Sequence, residues 1–158
     1  MTTKKTLTYD QALNKAAALC SQSEKAPQDI YEKAQGWGLS EEDAARLVAR
    51  LIEENFLNEE RYARAFVSDK TRFARWGRVK VAYTLRAKGI SDRIIAEAME
   101  EKVEAEDYEQ TCRDLLQNRM RGMQLPLSQQ DRARLYRFAA QRGFESSVIS
   151  RCLSDLTH

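Results

Sequence analysis

The chain has 158 residues, with 26 basic and 24 acidic side chains and a net charge of +2. That length suits one ordinary domain or a few small stacked units, and six glycines with two prolines are too little punctuation for a β-sandwich. No apolar run reaches the roughly 18 residues that a membrane span needs, the first residues lack a signal-peptide apolar core, and the widely spaced Cys20, Cys112 and Cys152 read as reduced thiols, so a cytoplasmic protein is expected.

Ala, Leu, Glu, Arg and Gln are abundant, and all five favour helix. In a first unit, residues 1–56, helices are expected over about 8–21, 27–35 and 40–55. Thr8 with Gln11 caps the first, Pro27 suits a first helical turn, and Ser40 with Asp43 resembles a capping box. In a second unit, residues 57–103, the expected helices run over about 58–72, 76–88 and 91–102. Asn58 and Ser91 are N-caps, and Glu59 and Glu60 lie on the positive end of a helix dipole. In a third unit, residues 104–158, helices are expected over about 105–121, 128–142 and 145–156, with Ser128 and Asp131 opening the middle one. Within the second unit, Val79, Val81, Tyr83 and Leu85 alternate like a half-buried strand. A lone strand would have nothing to pair with, so the segment is read as helix.

The division into three rests on an internal repeat. Gly38-Leu39, Gly89-Ile90 and Gly143-Phe144 each precede one apolar helical stripe. The stripes are Ala44, Leu47, Val48, Leu51 and Ile52, then Ile94, Ile95, Ala98 and Met99, then Val148, Ile149, Cys152, Leu153 and Leu156. In each copy the glycine offers the positive φ that ends the preceding helix, and the apolar residue after it can pin the chain. The fold expected is all-α: nine helices in three tandem three-helix repeats, forming an elongated, solenoid-like array. Leu47, Val48, Leu51, Ile94, Ile95, Val148, Ile149 and Leu153 should be buried.

Charge is unevenly spread. Residues 61–93 hold ten basic side chains against two acidic ones, whereas residues 94–110 hold one against seven. The basic set is Arg61, Arg64, Lys70, Arg72, Arg75, Arg78, Lys80, Arg86, Lys88 and Arg93, interleaved with Tyr62, Phe66, Phe73, Trp76 and Tyr83. Scattered singly, such residues would be only a solvated face. Grouped, and with arginine outnumbering lysine, they suit recognition of carboxylate or phosphate groups. Arg61 and Arg64 are discounted because first-turn acids lie near them. Lys70, Arg72, Arg75, Arg78, Lys80, Arg86 and Lys88 are the candidate partner-binding residues, with Lys70, Arg72, Arg75 and Arg78 grouped around one corner between two helices.

No chemistry competes with this reading. The single histidine is the terminal His158, so Ser-His, Cys-His and histidine-rich metal sites have no material. Neither a phosphate-binding loop nor a dinucleotide fingerprint is present. No catalytic residue, cofactor or metal is expected.

The run Phe56-Leu57-Asn58-Glu59-Glu60-Arg61-Tyr62-Ala63 with Phe66-Val67, followed by Gly77-Arg78-Val79, Leu85, Lys88-Gly89-Ile90 and Ile94, resembles the bacterial RecX family. Tyr9, Ala12 and Leu13 fit that family's opening helix. Glu59 departs from the usual Asp, and the third unit matches only in its stripe and in Gly143-Phe144. The resemblance implies three tandem three-helix repeats and a cytoplasmic regulator of the RecA recombinase. Such a regulator binds the groove of the RecA filament on single-stranded DNA and inhibits its ATPase, strand-exchange and co-protease activities. A monomer is expected. Direct contact with DNA, expected to be weak, is the alternative that the basic and aromatic middle unit leaves open.

Overall fold

The computed structural model describes residues 6–157; residues 1–5 and His158 lie outside the described residues. The described residues form nine helices and no strand: α1 (Tyr9–Gln22), α2 (Pro27–Gly36), α3 (Glu41–Glu53), α4 (Glu59–Arg72), α5 (Arg78–Ala87), α6 (Asp92–Lys102), α7 (Ala105–Met120), α8 (Gln129–Gln141) and α9 (Ser146–Thr157). Local chemistry explains their ends. Thr8 and Gln11 make a reciprocal capping box on α1, and Asn58 accepts from the Arg61 amide at the start of α4. Ser40 and Ser128 each accept from the third helical amide, but no bond returns from Asp43 or Asp131, whose carboxylates turn to Arg46 and Arg134. Gly38, Gly89 and Gly143 have φ of 103°, 81° and 98°, the left-handed conformation that a repeated helix stop requires.

The alternation at Val79–Leu85 resolves as two faces of one helix. Val81 and Leu85, four apart, are fully buried, whereas Val79 and Tyr83, also four apart, are 55% and 73% exposed. Helix α5 begins at Arg78, two residues later than the sequence suggests, because Gly77 sits outside it in an extended conformation.

Three separate cores correspond to the three helical triplets. The first joins Ala12, Ile30, Leu47 and Leu51, the second Val67, Val81, Leu85 and Ile95, and the third Cys112, Leu116, Leu135 and Ile149. Leu39, Ile90 and Phe144, each next to its repeat glycine, are buried in their own cores. Leu57, assigned to the second unit on sequence, packs in the first core. Val48 is only half-buried, and Ile52 is 46% exposed, because a short three-helix unit covers only part of the α3 stripe. The surface area of 9977 Å² exceeds the about 8,100 Å² of a compact monomer of this mass, as expected of an array.

Two joints link the units, and both use the same parts. The amino end of the second helix in one unit meets the glycine turn before the third helix of the next. At the first joint, Lys88 bonds Asp29 at 2.7 Å, and Gly89 lies against the Gln28 side chain. Beside them Arg61 bonds Glu24 at 2.9 Å, with its other nitrogens on Asn55 and Phe56. At the second joint the contact is made by main chain. The Gly77 and Val79 amides donate to the Arg142 and Gly143 carbonyls at 2.8 and 2.9 Å, and a β-carbon on Gly77 would overlap the Gly143 carbonyl.

A candidate partner-binding surface

The second joint draws on the basic unit. Gly77 offers no side-chain cap to α5, so the exposed amides at its amino end are met from the third unit. The Arg78 amide donates to the Tyr108 hydroxyl at 2.8 Å, and that hydroxyl donates in turn to Glu145. The Arg78 guanidinium bonds Glu145 at 2.9 Å and stacks 4.1 Å from the Tyr108 ring centre. A cation in the first turn of a helix opposes the dipole, and Glu145 offsets it. Burial raises the Tyr108 phenol well above the ordinary tyrosine range, and the bond to Glu145 adds to the shift.

Arg78 is therefore spent on holding two units together, and Lys88 has a similar role at the first joint, where its bond to Asp29 raises its pKa. Both stand among the candidate partner-binding residues read from the sequence, and each is engaged by an acid of a neighbouring unit. Arg61 and Arg64 also find other acids than those expected: Glu24 at the first joint and Glu101 on α6 at 3.9 Å.

The other five candidates stay at the surface. Arg86 pairs with Asp92 at 2.6 Å, both well exposed. Trp76 collects two cations, Lys80 at 4.1 Å and Lys70 at 5.0 Å from the ring centre, and Lys70 also lies 3.8 Å from Asp69. Among the described residues no carboxylate stands within ion-pair distance of Arg72 or Arg75. Arg72 ends α4 and borders a cleft with Thr71, Lys102 and Asp107. Arg75 has a φ of 57°, a strained conformation for a residue bearing a β-carbon, and the Arg142 guanidinium bonds the Ala74 carbonyl beside it at 2.8 Å. Between them Phe73 is 81% exposed. The surface thus consists of Arg72, Phe73 and Arg75 at the α4–α5 corner, with Lys70, Trp76 and Lys80 beside it, and Val79 and Tyr83 exposed on α5.

The sequence reading missed the joint residues Tyr108, Arg142 and Glu145. Only the alignment of Gly143 with Gly89 could have pointed to them. The acidic run is largely engaged at helix ends: Glu101 reaches Arg64, Glu109 lies near Arg113, and Glu104 shares a hydrogen bond with Asp107 that raises its pKa. Cys112 and Cys152 are free thiols buried in the third core, and burial raises the pKa of both.

An array of three-helix units with a cationic, aromatic corner defines a helical-repeat protein of the kind built to bind partners along its length. Its second and third triplets match the profiles of the second and third three-helix domains of RecX, over residues 58–99 and 106–153. The regulatory protein RecX of Prosthecochloris aestuarii is 31% identical over 148 residues, covering 92% of this chain and 93% of that one. That of Chromobacterium violaceum is 30% identical over 140 residues, covering 89% and 87%. The chain belongs to the RecX family. The crystal structure of RecX from Lactobacillus salivarius superposes with a TM-score of 0.78 at 17% identity, over 94% of this chain and 96% of that one. A second regulatory protein RecX superposes at 0.79 with 19% identity, over 92% and 71%. The fold is thus shared along nearly the whole chain. No helix among the described residues is long and apolar enough to cross a membrane.

Proposed function

We propose that the protein is a non-enzymatic, cytoplasmic regulator of the RecA recombinase. It acts as a monomer on the RecA filament formed on single-stranded DNA and inhibits ATP hydrolysis, strand exchange and co-protease activity. The observation that carries this reading is the likeness to regulatory RecX proteins across 92% of the chain. The surface at the α4–α5 corner supports it: among the described residues Arg72 and Arg75 have no internal acid, and a large aromatic stands exposed between them. Such a group suits acidic side chains or phosphates on a partner. RecA ATPase on single-stranded DNA, measured with and without this protein, tests the reading. Inhibition at stoichiometry well below one per RecA is the expected result, and an unchanged rate at excess protein refutes it.

One observation favours a second reading, direct contact with single-stranded nucleic acid. Phe73, flanked by Arg72 and Arg75, has the form of a base-stacking platform with phosphate ligands. The two readings separate by ligand. A filament regulator binds the RecA–DNA complex far more tightly than naked DNA, whereas a nucleic-acid binder holds naked strands with a steep salt dependence.

A further inference from the structure

Among the described residues, the two internal joints leave one half of the same interface unmatched at each end of the array. Every unit has a glycine turn that can receive the unit before it, and a second helix whose amino end can receive the unit after it. Among the described residues no unit precedes the turn of the first unit, Trp37-Gly38. In its place lie Thr6 and Leu7. The Leu7 amide donates to the Trp37 carbonyl at 2.9 Å. This repeats the second joint, where the Gly77 amide donates to Arg142, again the residue before the turn glycine. Thr6 covers Gly38 so closely that a β-carbon on that glycine would overlap its side chain, as one on Gly143 would overlap Lys80. The segment just ahead of α1 therefore fills the place of a missing unit.

At the opposite end, no further unit lies on the amino end of α8 among the described residues. The second and third residues of α8 are Gln130 and Asp131, the same pair as Gln28 and Asp29 at those positions of α2, where they receive Gly89 and Lys88. Ser128 caps the free end of α8 with its own hydroxyl; the Gln130 side chain is exposed, and among the described residues the cation on the half-buried Asp131 carboxylate is Arg134 of its own helix, at 3.5 Å. Leu125, in the loop leading into α8, is 66% exposed. The first unit supplies charge to match: Lys15 sits 5.0 Å from the Trp37 ring centre, beside the turn. The two ends of one chain thus continue the interface already used twice inside it.

We propose that the Trp37-Gly38 turn is a docking surface for the α8 amino end of a second copy of this chain, and that Thr6 and Leu7 seal it. Head-to-tail contacts of this kind are not closed by symmetry, so unsealed copies would add end to end. The seal keeps copies of the chain apart.

Deleting residues 1–7 keeps Thr8 and Gln11 of the α1 capping box and opens the turn, while also taking Leu7 from the edge of the first core. Sedimentation equilibrium of the deletion protein should show mass rising with concentration, and D131R introduced into it should return the mass to that of a single chain. Native helicity with a concentration-independent mass overturns the proposal, and so does association that D131R leaves unchanged. Should the deletion lose helicity, T6G decides: it removes only the side chain over Gly38. Self-association strengthened by about tenfold or more over the parent and abolished by D131R supports the proposal, and a mass identical to the parent at every concentration overturns it.

Discussion

Tyr108 shows how one side chain can serve three groups. Its ring carries the Arg78 guanidinium, its oxygen accepts from the Arg78 amide, and its proton goes to Glu145. Tyr108→Phe keeps the ring and loses both hydrogen bonds, leaving a buried amide and a carboxylate short of a partner. The expected cost is about 1–3 kcal/mol in chemical denaturation. The phenol is held above its ordinary value in the folded chain, so it contributes stability below about pH 10. That contribution is lost as pH rises further, because the unfolded phenol ionises first. The fall in stability above that pH should be shallower in the phenylalanine variant. Core positions obey a simpler rule. Leu47 and Ile149 are fully buried in different units, and cutting either to Ala should cost about 2–5 kcal/mol, read as a lowered denaturant midpoint. These burials were legible in the sequence, since offsets of six and nine residues from the repeat glycine are buried in all three copies. The roles of Tyr108 and Glu145 were not, because their shared partner, Arg78, lies 67 residues from Glu145 and no periodicity reports a contact across that distance.

Among the helices, α5 is the least self-sufficient. It has ten residues, no acid in its first turn and no side-chain cap, so its amino end depends on the third unit. The strand-like alternation along it had a physical origin: two apolar pairs, each spaced by four, were interleaved out of phase, one for the core and one for solvent. Sequence alone cannot say which pair faces inward, and so the exposed Val79 and Tyr83 were not separable from Val81 and Leu85. The join between α5 and the third unit can be tested with glycines. Gly77→Ala would place a β-carbon in the Gly143 main chain and should separate the second and third units. The expected result is a cost of at least about 2 kcal/mol and a broadened, less cooperative melt. Gly36 ends α2 with nothing near a β-carbon at that position. Gly36→Ala should therefore stabilise the protein by about 0.5–1 kcal/mol, visible as a higher midpoint.

At the scale of the molecule, charge segregation was readable from the sequence, but the division of labour within the basic set was not. Seven candidates shared one description, yet Arg78 and Lys88 hold joints while Arg72 and Arg75 have no internal acid among the described residues. The corresponding variants should behave differently. Reversing Arg72 and Arg75 together to Glu should abolish the proposed inhibition of RecA and leave the melting temperature within a degree or two. Arg78→Glu should lower stability by about 3 kcal/mol or more, since it sets a carboxylate against Glu145 in a partly buried site. Full activity of the double reversal would move the partner surface to the first or third unit.

The two joints also differ in stiffness. The second is stitched by main-chain hydrogen bonds from Gly77 and Val79, which have short reach and strict direction. The first has no main-chain bond among the described residues and is held by Arg61–Glu24 and Lys88–Asp29, long side chains that can swing and still stay paired. Bending of the array therefore concentrates at one place, between a compliant leading unit and a stiff pair behind it. Amide hydrogen exchange gives this a clock. The Gly77 and Val79 protons exchange only when the rear pair separates, and the leading unit can flex many times before either is lost.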